Sequence, residues 1–537
     1  MPLAIELAAG WADLLPVSEI ASEINAGIDF LAGSRIDLPE RHRSVRAAFE
    51  YSWDRLDPEL RESFIGLSVF PAAFTREAAA AVAGSQLAIL RALMDKSLLR
   101  RAELDTYDLH PLLREFGLDR LGDERPAMAR KHGEYYVRRL IDRHDRLEGS
   151  LEQMEIRDEV ADDLANLRPA TLWAVDHLPT AEVVQMLNAL NAFYFVHSWT
   201  EAIDHFEEIA EAIEAQLGPD AAAADERYLW ARTSAMINVA QFGDIERVRR
   251  TLEPLLPHWE RLGGVGLSMC LVALAITADN AGELAEAKAL HERAAEAGFG
   301  SNRLLEAEAV AWYGWAVLQI GDTEEAQEIF RRGLSLTEEM RSYAGRAYLL
   351  SKLGVAADSL GNHAAAADYH EEGREIFVKT GDLGGQAYTL SRLSWTHWLL
   401  GDFAKAKQYG EEGLEKFEEI NHRWGVAASW CRIGLADLGL GDTAAATAAF
   451  RRGLDLAIEN GLQTVCYYAL MGMGRFFAAE GDIDRAVRLL AHNVGAEQNP
   501  YADLAQRALD DLGDAATPEL MNSGRAMGFD EAVSLAR

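Results

Sequence analysis

The residue types that could do catalytic chemistry form only weak constellations in this sequence. Glu419 and His422 make one E-x-x-H pair near a predicted helix end, but a di-iron site needs further carboxylates at matching spacing. An acidic pair at 371–372 is matched 40 residues earlier by a basic pair at 331–332, an exchange of sign that is typical of a solvated outer face. No HExxH, CxxC, GxSxG or phosphate-binding GxxxxGK(S/T) motif occurs. We therefore expect no enzyme activity in this chain and no cofactor bound to it.

Aromatic side chains at helical spacing are better candidates for binding chemistry. Tyr388, Trp395 and Trp398 follow one another at spacings of seven and three, which places them on one side of a helix at successive turns. Aromatic residues exposed in a groove act as binding anchors. The alternative is that these rings pack between neighbouring helices, and the sequence alone leaves both interpretations open.

Internal repeats set the positions of these rings. A glycine followed by a polar residue recurs at successive spacings of 39, 39, 40, 40, 40 and 40 residues, at positions 243, 282, 321, 361, 401, 441 and 481. About 17 residues of helical periodicity flank each mark, and no proline interrupts them between Pro257 and Pro500. The glycine supplies the left-handed residue that ends one helix, and the following Asp or Asn caps the next. Each unit of about 40 residues is therefore predicted to be a helical hairpin.

Small residues repeat in phase with these marks. The first helix of each unit carries one near its middle, at Gly314, Gly354, Ser394, Gly434 and Gly474. The second helix carries an alanine twelve residues later, at Ala326, Ala366, Ala406, Ala446 and Ala486. Glycine inside a helix costs roughly 0.5–1 kcal/mol relative to alanine, so its recurrence indicates close helix approach. The pattern resembles the tetratricopeptide repeat, in about eight hairpins over 180–490.

A tetratricopeptide array implies a superhelix whose concave face is lined by first helices. Placing the small residue in the usual register of that family identifies the side chains on this face. The predicted ligand or partner groove consists of Trp315, Tyr348, Asp358, Tyr388, Trp395, Trp398, Tyr468 and Arg475. Trp395 and Trp398 are the strongest candidates for a true groove pair.

The segment before the repeats has a different pattern. Asp57, Thr75 and Ser85 are each placed to cap the start of a short helix. Residues 98–102 and 107–109 alternate enough to form a small hairpin before one more helix. Helices followed by a two-stranded wing make a winged helix. The predicted fold class is mostly all-α: a winged-helix domain with a small β-hairpin, followed by a tetratricopeptide-type α-solenoid superhelix.

Three segments of this module carry a family resemblance. ERHRSVRAAFEYSWDRLDPELRESFIGLSVFPAAFTREAAAAVAG, LRALMDKSLLRR and YDLHPLLREFG resemble the winged helix of bacterial NB-ARC-type signal transduction ATPases with numerous domains, the STAND class. The opening PLAIELAAGWADLL is similar to the end of that family's GLPLA motif, and the final ELMNSGRAMGFDEAVSLAR to its helical tail. The resemblance implies five regions: 1–40, the end of an ATPase-associated helical domain; 41–125, the winged helix; 126–179, a helical linker; 180–490, the repeats; and 491–537, capping helices.

The same resemblance implies a nucleotide-dependent role for two residues. Pro2 matches the family proline beside the adenine, and His110 matches the histidine that approaches the ADP phosphate in the inactive state. The motif reads Leu109-His110-Pro111 here, so the usual aspartate has no counterpart. Because the P-loop is missing, we expect an ATPase domain with ADP or ATP upstream, in a full-length protein of which this chain is a truncated part. A structural histidine that caps the last helix is the alternative for His110.

Charge narrows the choice of partners. The chain has 52 Lys and Arg against 86 Asp and Glu, a net charge of −34, of which −28 lies beyond residue 120. We therefore expect an activating protein, peptide or small ligand that is partly basic. The winged-helix segment 85–98 carries only three charged residues, so no DNA binding is expected from it. No membrane span is expected, and three cysteines within helical patterns favour the cytoplasm.

Together these features predict the regulatory and sensor half of a STAND-class switch. The superhelix would bind an activating ligand, and the winged helix would relay this to an upstream ATPase that ADP holds autoinhibited. The alternative is a freestanding tetratricopeptide scaffold for protein–protein interaction. It explains the repeats but not the winged helix or the GLPLA-like start.

Overall fold

The fold is described from a computed structural model. It covers residues 16, 18–19, 49–50, 52–102, 105–149, 153–241, 244–281, 283–298, 310–315, 317–318, 322–340, 343–420, 422–496, 499 and 501–537. Pro2 and most of the predicted region 1–40 lie outside these residues. The chain divides into two compact units, the first of 1–147 and 155–235 and the second of 148–154 and 236–537.

The first unit begins with short helices around a small sheet. In chain order its elements are α1 (Pro58–Leu67), β1 (Phe74–Thr75), α2 (Arg76–Ala83), α3 (Leu87–Asp95), β2 (Arg100–Arg101), β3 (Thr106–Asp108) and α4 (Pro111–Leu121). Asp57 and Thr75 cap α1 and α2 as predicted, each accepting a hydrogen bond from a backbone N–H three residues later. Ser85 does not cap α3, because the N-cap is Gln86 and makes no side-chain bond there.

The sheet has three antiparallel strands in the order β1–β3–β2, one more than the predicted hairpin. Phe74 pairs with Tyr107 and Arg100 pairs with Asp108. The extra strand has only two residues and follows a proline, so its pattern is too short to be read from sequence. The helices α1 and α4 approach closely at Gly117, where a Cβ would lie 1.8 Å from the Ser68 Oγ.

The rest of the first unit consists of helices, most of them longer than those around the sheet. These are α5 (Arg125–Ile141), α6 (His144–Gly149), α7 (Gln153–His177), α8 (Thr180–Val196), α9 (Trp199–Leu217), α10 (Pro219–Ala222) and α11 (Glu226–Gln241); the last residues of α6, the first of α7 and the last of α11 belong to the second unit. Gly133 on α5 lets the Trp173 ring of α7 lie against the backbone. Asn166 on α7 donates to the Ala73 carbonyl at 2.7 Å, which ties this helix to the edge of the sheet module.

The second unit is an array of helical hairpins. Its helices are α12 (Ile245–Leu252), α13 (Leu256–Leu262), α14 (Gly264–Ala281), α15 (Leu284–Gly298), a helical segment at 310–315, α16 (Thr323–Met340), α17 (Tyr343–Ser359), α18 (His363–Thr380), α19 (Leu383–Leu399), α20 (Phe403–Glu419), α21 (Arg423–Gly439), α22 (Thr443–Glu459), α23 (Gln463–Ala479), α24 (Ile483–Gly495), α25 (Ala502–Leu512), α26 (Pro518–Ala526) and α27 (Phe529–Ala536). This architecture confirms the predicted α-solenoid of tetratricopeptide type. Only the short three-stranded sheet interrupts the helices among the described residues.

The predicted turn glycines and N-cap residues between helices are present in the described repeats. The turn glycines adopt left-handed φ angles of 76° to 82° at Gly361, Gly401, Gly441 and Gly481. The residue after each one is the next N-cap, and its side chain accepts a backbone N–H in the first turn, at Asn362, Asp402, Asp442 and Asp482. A side chain with a Cβ is strained at these φ values, which explains why the mark is glycine.

The in-phase small residues pack against the residue sixteen positions later on the second helix of the same hairpin. A Cβ on Gly354 would lie 2.5 Å from the His370 ring, and one on Gly434 would lie 2.8 Å from Phe450. In the hairpin between these two, the larger residue of the pair is on the first helix and the glycine is on the second. Ser394 occupies the first helix, faces Gly410, and donates to the Ala406 carbonyl at 2.7 Å. The hairpin therefore needs one small partner in each pair.

The C-terminal helices α25, α26 and α27 close the array. Ala505, Ala532 and Val533 join one core cluster with the buried residues of α21 to α24. The Arg485 guanidinium donates to the Leu535 carbonyl, and Arg537 pairs with Asp455 at 2.7 Å. Within the described part of the chain, no single helix is long and apolar enough to cross a membrane. The helices α2 and α3 have enough length and apolar character only when taken together, and they are bent by 102° where they meet.

The small-residue contacts give a prediction about stability. Gly354→Leu and Ala366→Leu should each lower the free energy of unfolding by about 1–3 kcal/mol, because both sites lack room for a larger side chain. Ala364→Leu is the matched control, since Ala364 lies two residues away on the same helix and is exposed. Its change should stay within about 0.5 kcal/mol in urea unfolding. Equal stabilities for all three variants would contradict this packing.

Candidate functional site

Three cationic side chains recur on the first helices of the array. Lys352, Arg392 and Arg432 lie 40 residues apart on α17, α19 and α21, each two positions before the small residue of its helix. Aromatic rings lie between them. We call this set the cation–aromatic lining; it comprises Lys352, Arg392 and Arg432 with Trp312, Trp315, Tyr348, Tyr388, Tyr468 and Tyr501.

Lys352 is enclosed by aromatic rings. Its Nζ lies 4.0 Å from the ring centre of Trp315, 4.8 Å from that of Tyr348 and 5.3 Å from that of Tyr388. The residue is only 4% exposed, and burial lowers the pKa of its ammonium. Among the described residues no carboxylate pairs with it. The ring faces supply cation–π attraction instead, about 0.5–2 kcal/mol each.

Arg392 extends the lining along the array. Its Cζ lies 4.9 Å from the Tyr388 ring centre and 5.9 Å from that of Trp315, so two rings are shared with Lys352. Burial by itself raises the pKa of Tyr388, but the charges of Arg392 and Lys352 outweigh it and lower that pKa to about 8. Apart from these two cations, the buried Tyr388 hydroxyl oxygen has no hydrogen-bond partner in the described structure. Two cations thus converge on one hydroxyl oxygen.

Arg432 continues the same pattern one repeat later. It is 6% exposed, and its Nε and Nη1 have no hydrogen-bond partner among the described residues. Its Cζ lies 5.8 Å from the ring centre of Tyr468, which stacks on Tyr501 with a centre-to-centre distance of 4.4 Å. The Tyr468 hydroxyl is also buried and unpartnered. Buried polar groups without partners are costly, and their combination here with buried cations and stacked rings makes this region a candidate binding site.

The acids near the lining contact residues other than its three cations. Asp358 accepts from the Thr396 hydroxyl at 2.6 Å and contacts the His363 Nδ1 at 3.0 Å. Asp437 pairs with Lys407 at 2.7 Å. Asp279 contacts the buried His291 at 3.2 Å and acts on the pKa of Lys352 only from beyond ion-pair distance. The lining therefore has positive charge that no described carboxylate neutralises directly.

The predicted groove residues do not share one environment. Trp315, Tyr348 and Tyr388 surround Lys352, so the structure brings them together. Asp358 braces α17 against α19 through Thr396 and has both carboxylate oxygens engaged, so it forms no ion pair with the cations of the lining. Tyr468 is fully buried in the core cluster and is not an exposed anchor.

Trp395 and Trp398 are half-buried and pack on each other. Their ring centres lie 5.2 Å apart at 26°, and Trp395 meets the Tyr468 ring edge-on at 5.9 Å. Trp398 lies 5.4 Å from the Arg475 guanidinium, and both line an open cavity of about 700 Å³ with Phe403, Leu435 and Leu504. The indole pair thus contacts the core on one side and this cavity on the other.

The sequence analysis missed the cations because it searched for aromatic anchors. Their signal was present, since Lys352, Arg392 and Arg432 repeat at the same period as the glycines. Tyr501 had no such signal, because it follows the last repeat and reaches Tyr468 only through the fold. The described residues contain no group of three or more His, Cys, Asp or Glu side chains that could hold a metal ion.

His110 lies in the first unit, at the start of α4. Its Nδ1 accepts the Leu112 N–H at 3.3 Å, so it caps the helix. Burial lowers its pKa, and the nearby charges of Arg100 and Arg114 lower it further, which favours the neutral ring. Arg100 and Arg114 also hold the Asp108 carboxylate, at 3.0 and 2.9 Å. A neutral capping histidine beside two guanidinium groups is compatible with an anion but does not require one.

Comparison with known sequences identifies the repeats directly. The profile of the tetratricopeptide repeat family matches residues 345–419. Proteins of Mycobacterium bovis and Mycobacterium tuberculosis that carry the name "Putative HTH-type transcriptional regulator" are 27% identical over 223 residues. That match covers 39% of this chain and 25% of theirs, so it spans about a quarter of the length of these curated relatives.

Comparison with solved structures gives the same fold. A STAND protein with a tetratricopeptide repeat sensor from Pyrococcus horikoshii superposes over 97% of this chain and 74% of its own, with a TM-score of 0.57 and 14% identity. A Rap protein complexed with Competence and Sporulation Factor covers 66% of this chain and 96% of its own, with a TM-score of 0.50 and 15% identity. At these identities the likeness shows the fold alone.

The convergence of Lys352 and Arg392 on Tyr388 predicts an unusual titration. A tyrosine with a pKa of about 8 should ionise before the others, and Tyr388→Phe should remove that phase from the ultraviolet absorbance of tyrosinate. Because the folded pKa lies below the unfolded value of about 10, this group stabilises the fold increasingly as pH rises between the two values.

Lys352→Met should raise the pKa of Tyr388, because it removes one of the two cations. Lys407→Met is the control, since its ammonium pairs with Asp437 instead. A titration in which no tyrosine ionises early, or in which both variants shift it equally, would contradict this electrostatic arrangement.

Proposed function

We propose that this chain is the sensor and relay part of a larger signalling protein of the STAND class. The observation that carries the proposal is the cation–aromatic lining, where the buried Arg432 Nε and Nη1 and the Tyr468 hydroxyl have no hydrogen-bond partner within the described fold and Lys352 has no carboxylate partner. A solenoid does not need such groups for its own packing, because hydrophobic and small residues provide it. A ligand that satisfies them is the simplest reason for their presence.

The sheet module of the first unit is proposed to be the relay. The sequence resemblance identifies it with the winged helix of NB-ARC-type proteins, and the observed order of α1 to α4 with a three-stranded sheet is compatible with that identity. In this proposal His110 approaches the phosphate of ADP bound to an upstream ATPase. A ligand then shifts the full-length protein toward its open form only by binding that form more tightly.

The coding sequence upstream of residue 1 is the first test of this proposal. It should encode a P-loop, GxxxxGK(S/T), in the same reading frame. The full-length protein should then retain ADP on purification and exchange it faster when ligand is bound. An upstream region without a P-loop contradicts the relay and leaves the scaffold alternative.

Two variants of His110 separate phosphate contact from helix capping. His110→Ala removes both functions, whereas His110→Asn keeps a good N-cap side chain. If His110 contacts phosphate, both variants should release ADP from the full-length protein about tenfold faster or more, as loss of one charged or polar phosphate contact does. Only His110→Ala should also lower the melting temperature.

Release is measured by stopped-flow with a fluorescent ADP analogue, and His177→Ala at the exposed end of α7 is the control. If His110 only caps α4, His110→Asn should release ADP at the wild-type rate. That result would contradict the carry-over of the family role.

A further inference from the structure

The net charge of the repeats and the charge of the cation–aromatic lining have opposite signs. The region beyond residue 120 carries −28, which predicted a partly basic partner. The described lining instead presents Lys352, Arg392 and Arg432 on three successive first helices. An overall charge acts at long range and is screened by salt, whereas buried charges act at contact distance. The lining, rather than the net charge, decides which ligand group fits.

We infer that the lining binds a small organic anion, in which a carboxylate or phosphate group on an apolar body lies between Lys352, Arg392 and Arg432. This inference rests on the proposed sensor function and names the chemistry of its ligand.

Bonding positions on three residues support the anionic group. The Arg432 Nε and Nη1 are donors without acceptors among the described residues, and Lys352 forms no ion pair with a described carboxylate. The Tyr388 hydroxyl interacts with Lys352 and Arg392 through its oxygen, so its O–H is available to donate. A carboxylate or phosphate accepts several such bonds at once, and charge-assisted bonds of this kind are the strong ones.

None of the surrounding acids forms an ion pair with these cations in the described structure, and the Asp279 Oδ1, which is buried without a hydrogen-bond partner, acts on Lys352 only from beyond ion-pair distance. Asp358 is held by Thr396 and His363, Asp437 by Lys407, and Asp279 contacts His291. A basic ligand would therefore meet uncompensated positive charge and lose its hydration without gaining a partner.

The aromatic rings support an apolar body. Trp315 and Tyr388 lie between the cations and are only partly buried. The Trp395–Trp398 stack contacts Tyr468 through Trp395 and lines the open cavity beside Arg475 through Trp398. The low exposure of Lys352 and Arg432, 4% and 6%, favours a small molecule over a folded protein surface. Rings next to cations fit a ligand with an acid at one end and an aromatic or aliphatic group at the other.

The test compares matched probes by isothermal titration calorimetry on the full chain. N-acetyl-L-phenylalanine carries a carboxylate, N-acetyl-L-phenylalaninamide is its neutral counterpart, and phenyl phosphate carries a phosphate. An acidic probe should bind at least about tenfold more tightly than the amide, which corresponds to one charge-assisted bond. Its affinity should fall with added salt. The tighter of the two acids identifies carboxylate or phosphate as the natural group.

Lys352→Met and Arg432→Met should each weaken the acidic probe about tenfold and leave the amide unchanged. Arg452→Met is the control, because Arg452 is an exposed cation on the second helix α22. Thermal melts check that each variant is folded. An amide that binds as tightly as the acids overturns the inference, as does failure of both acids to bind wild-type protein at about 10 mM.

The probe comparison is independent of the signalling test. An upstream region without a P-loop, together with acid-selective binding, would contradict the proposed STAND relay and leave this ligand class intact. Nucleotide exchange that responds to a neutral or basic ligand would support the sensor and overturn the anionic ligand.

Discussion

Each hairpin of the array depends on one close approach, in which a small residue on the first helix faces the residue sixteen positions later on the second. Gly354 beneath His370 and Gly434 beneath Phe450 leave no space for a Cβ. In the pair Ser394 and Gly410 the glycine is on the second helix instead of the first. The constraint is therefore on the combined size of the two side chains. Because this contact fixes the hairpin, a period of 40 residues brings equivalent positions onto equivalent faces of successive units. The three cations of the lining recur at the same 40-residue period as the glycines, so they occupy equivalent positions on successive first helices.

The periodic parts of this fold could be predicted from the sequence, and the aperiodic parts could not. The turn at Gly401-Asp402 combines a left-handed glycine with an N-cap, so its local chemistry alone is sufficient. The strand at Phe74–Thr75 is two residues long and is defined only by its pairing with Tyr107 and Thr106. Ser85 had the chemistry of a cap, but the helix begins one residue later at a glutamine. Short elements depend on tertiary contacts that a local pattern does not contain.

The same limit applies to the site. Trp315 and Tyr388 were predicted from register, and the structure places both beside Lys352. The environment of Asp358 was not predictable, because Thr396 and His363 reach it from other helices. Tyr468 shares the register of the groove residues but is covered by Tyr501, which lies outside the repeats. Register gives the direction of a side chain, whereas burial depends on what the following helices cover.

The lining costs the fold stability unless something else offsets it. Removing an ammonium or a guanidinium from water costs several kcal/mol, and ring contacts return only part of that. An ion pair would offset the rest, yet the nearby carboxylates pair with other residues. The packing of the surrounding array is sufficient to keep such a region folded. Its free energy of unfolding increases most when an anion binds to it. We therefore regard the lining as a feature retained for binding rather than for folding.

The free energy of unfolding of Lys352→Met and Arg432→Met tests that claim most directly, with Thr396→Val as the control for a polar contact that serves the fold. Both methionine variants remove a buried charge while keeping most of the side-chain volume. In urea unfolding without ligand, they should be as stable as the wild type or more stable, because the desolvation cost is removed. Thr396→Val should be less stable by about 1–3 kcal/mol, because it leaves the Asp358 carboxylate short of a donor. Methionine variants destabilised by several kcal/mol would contradict the account and make the cations part of the structural core.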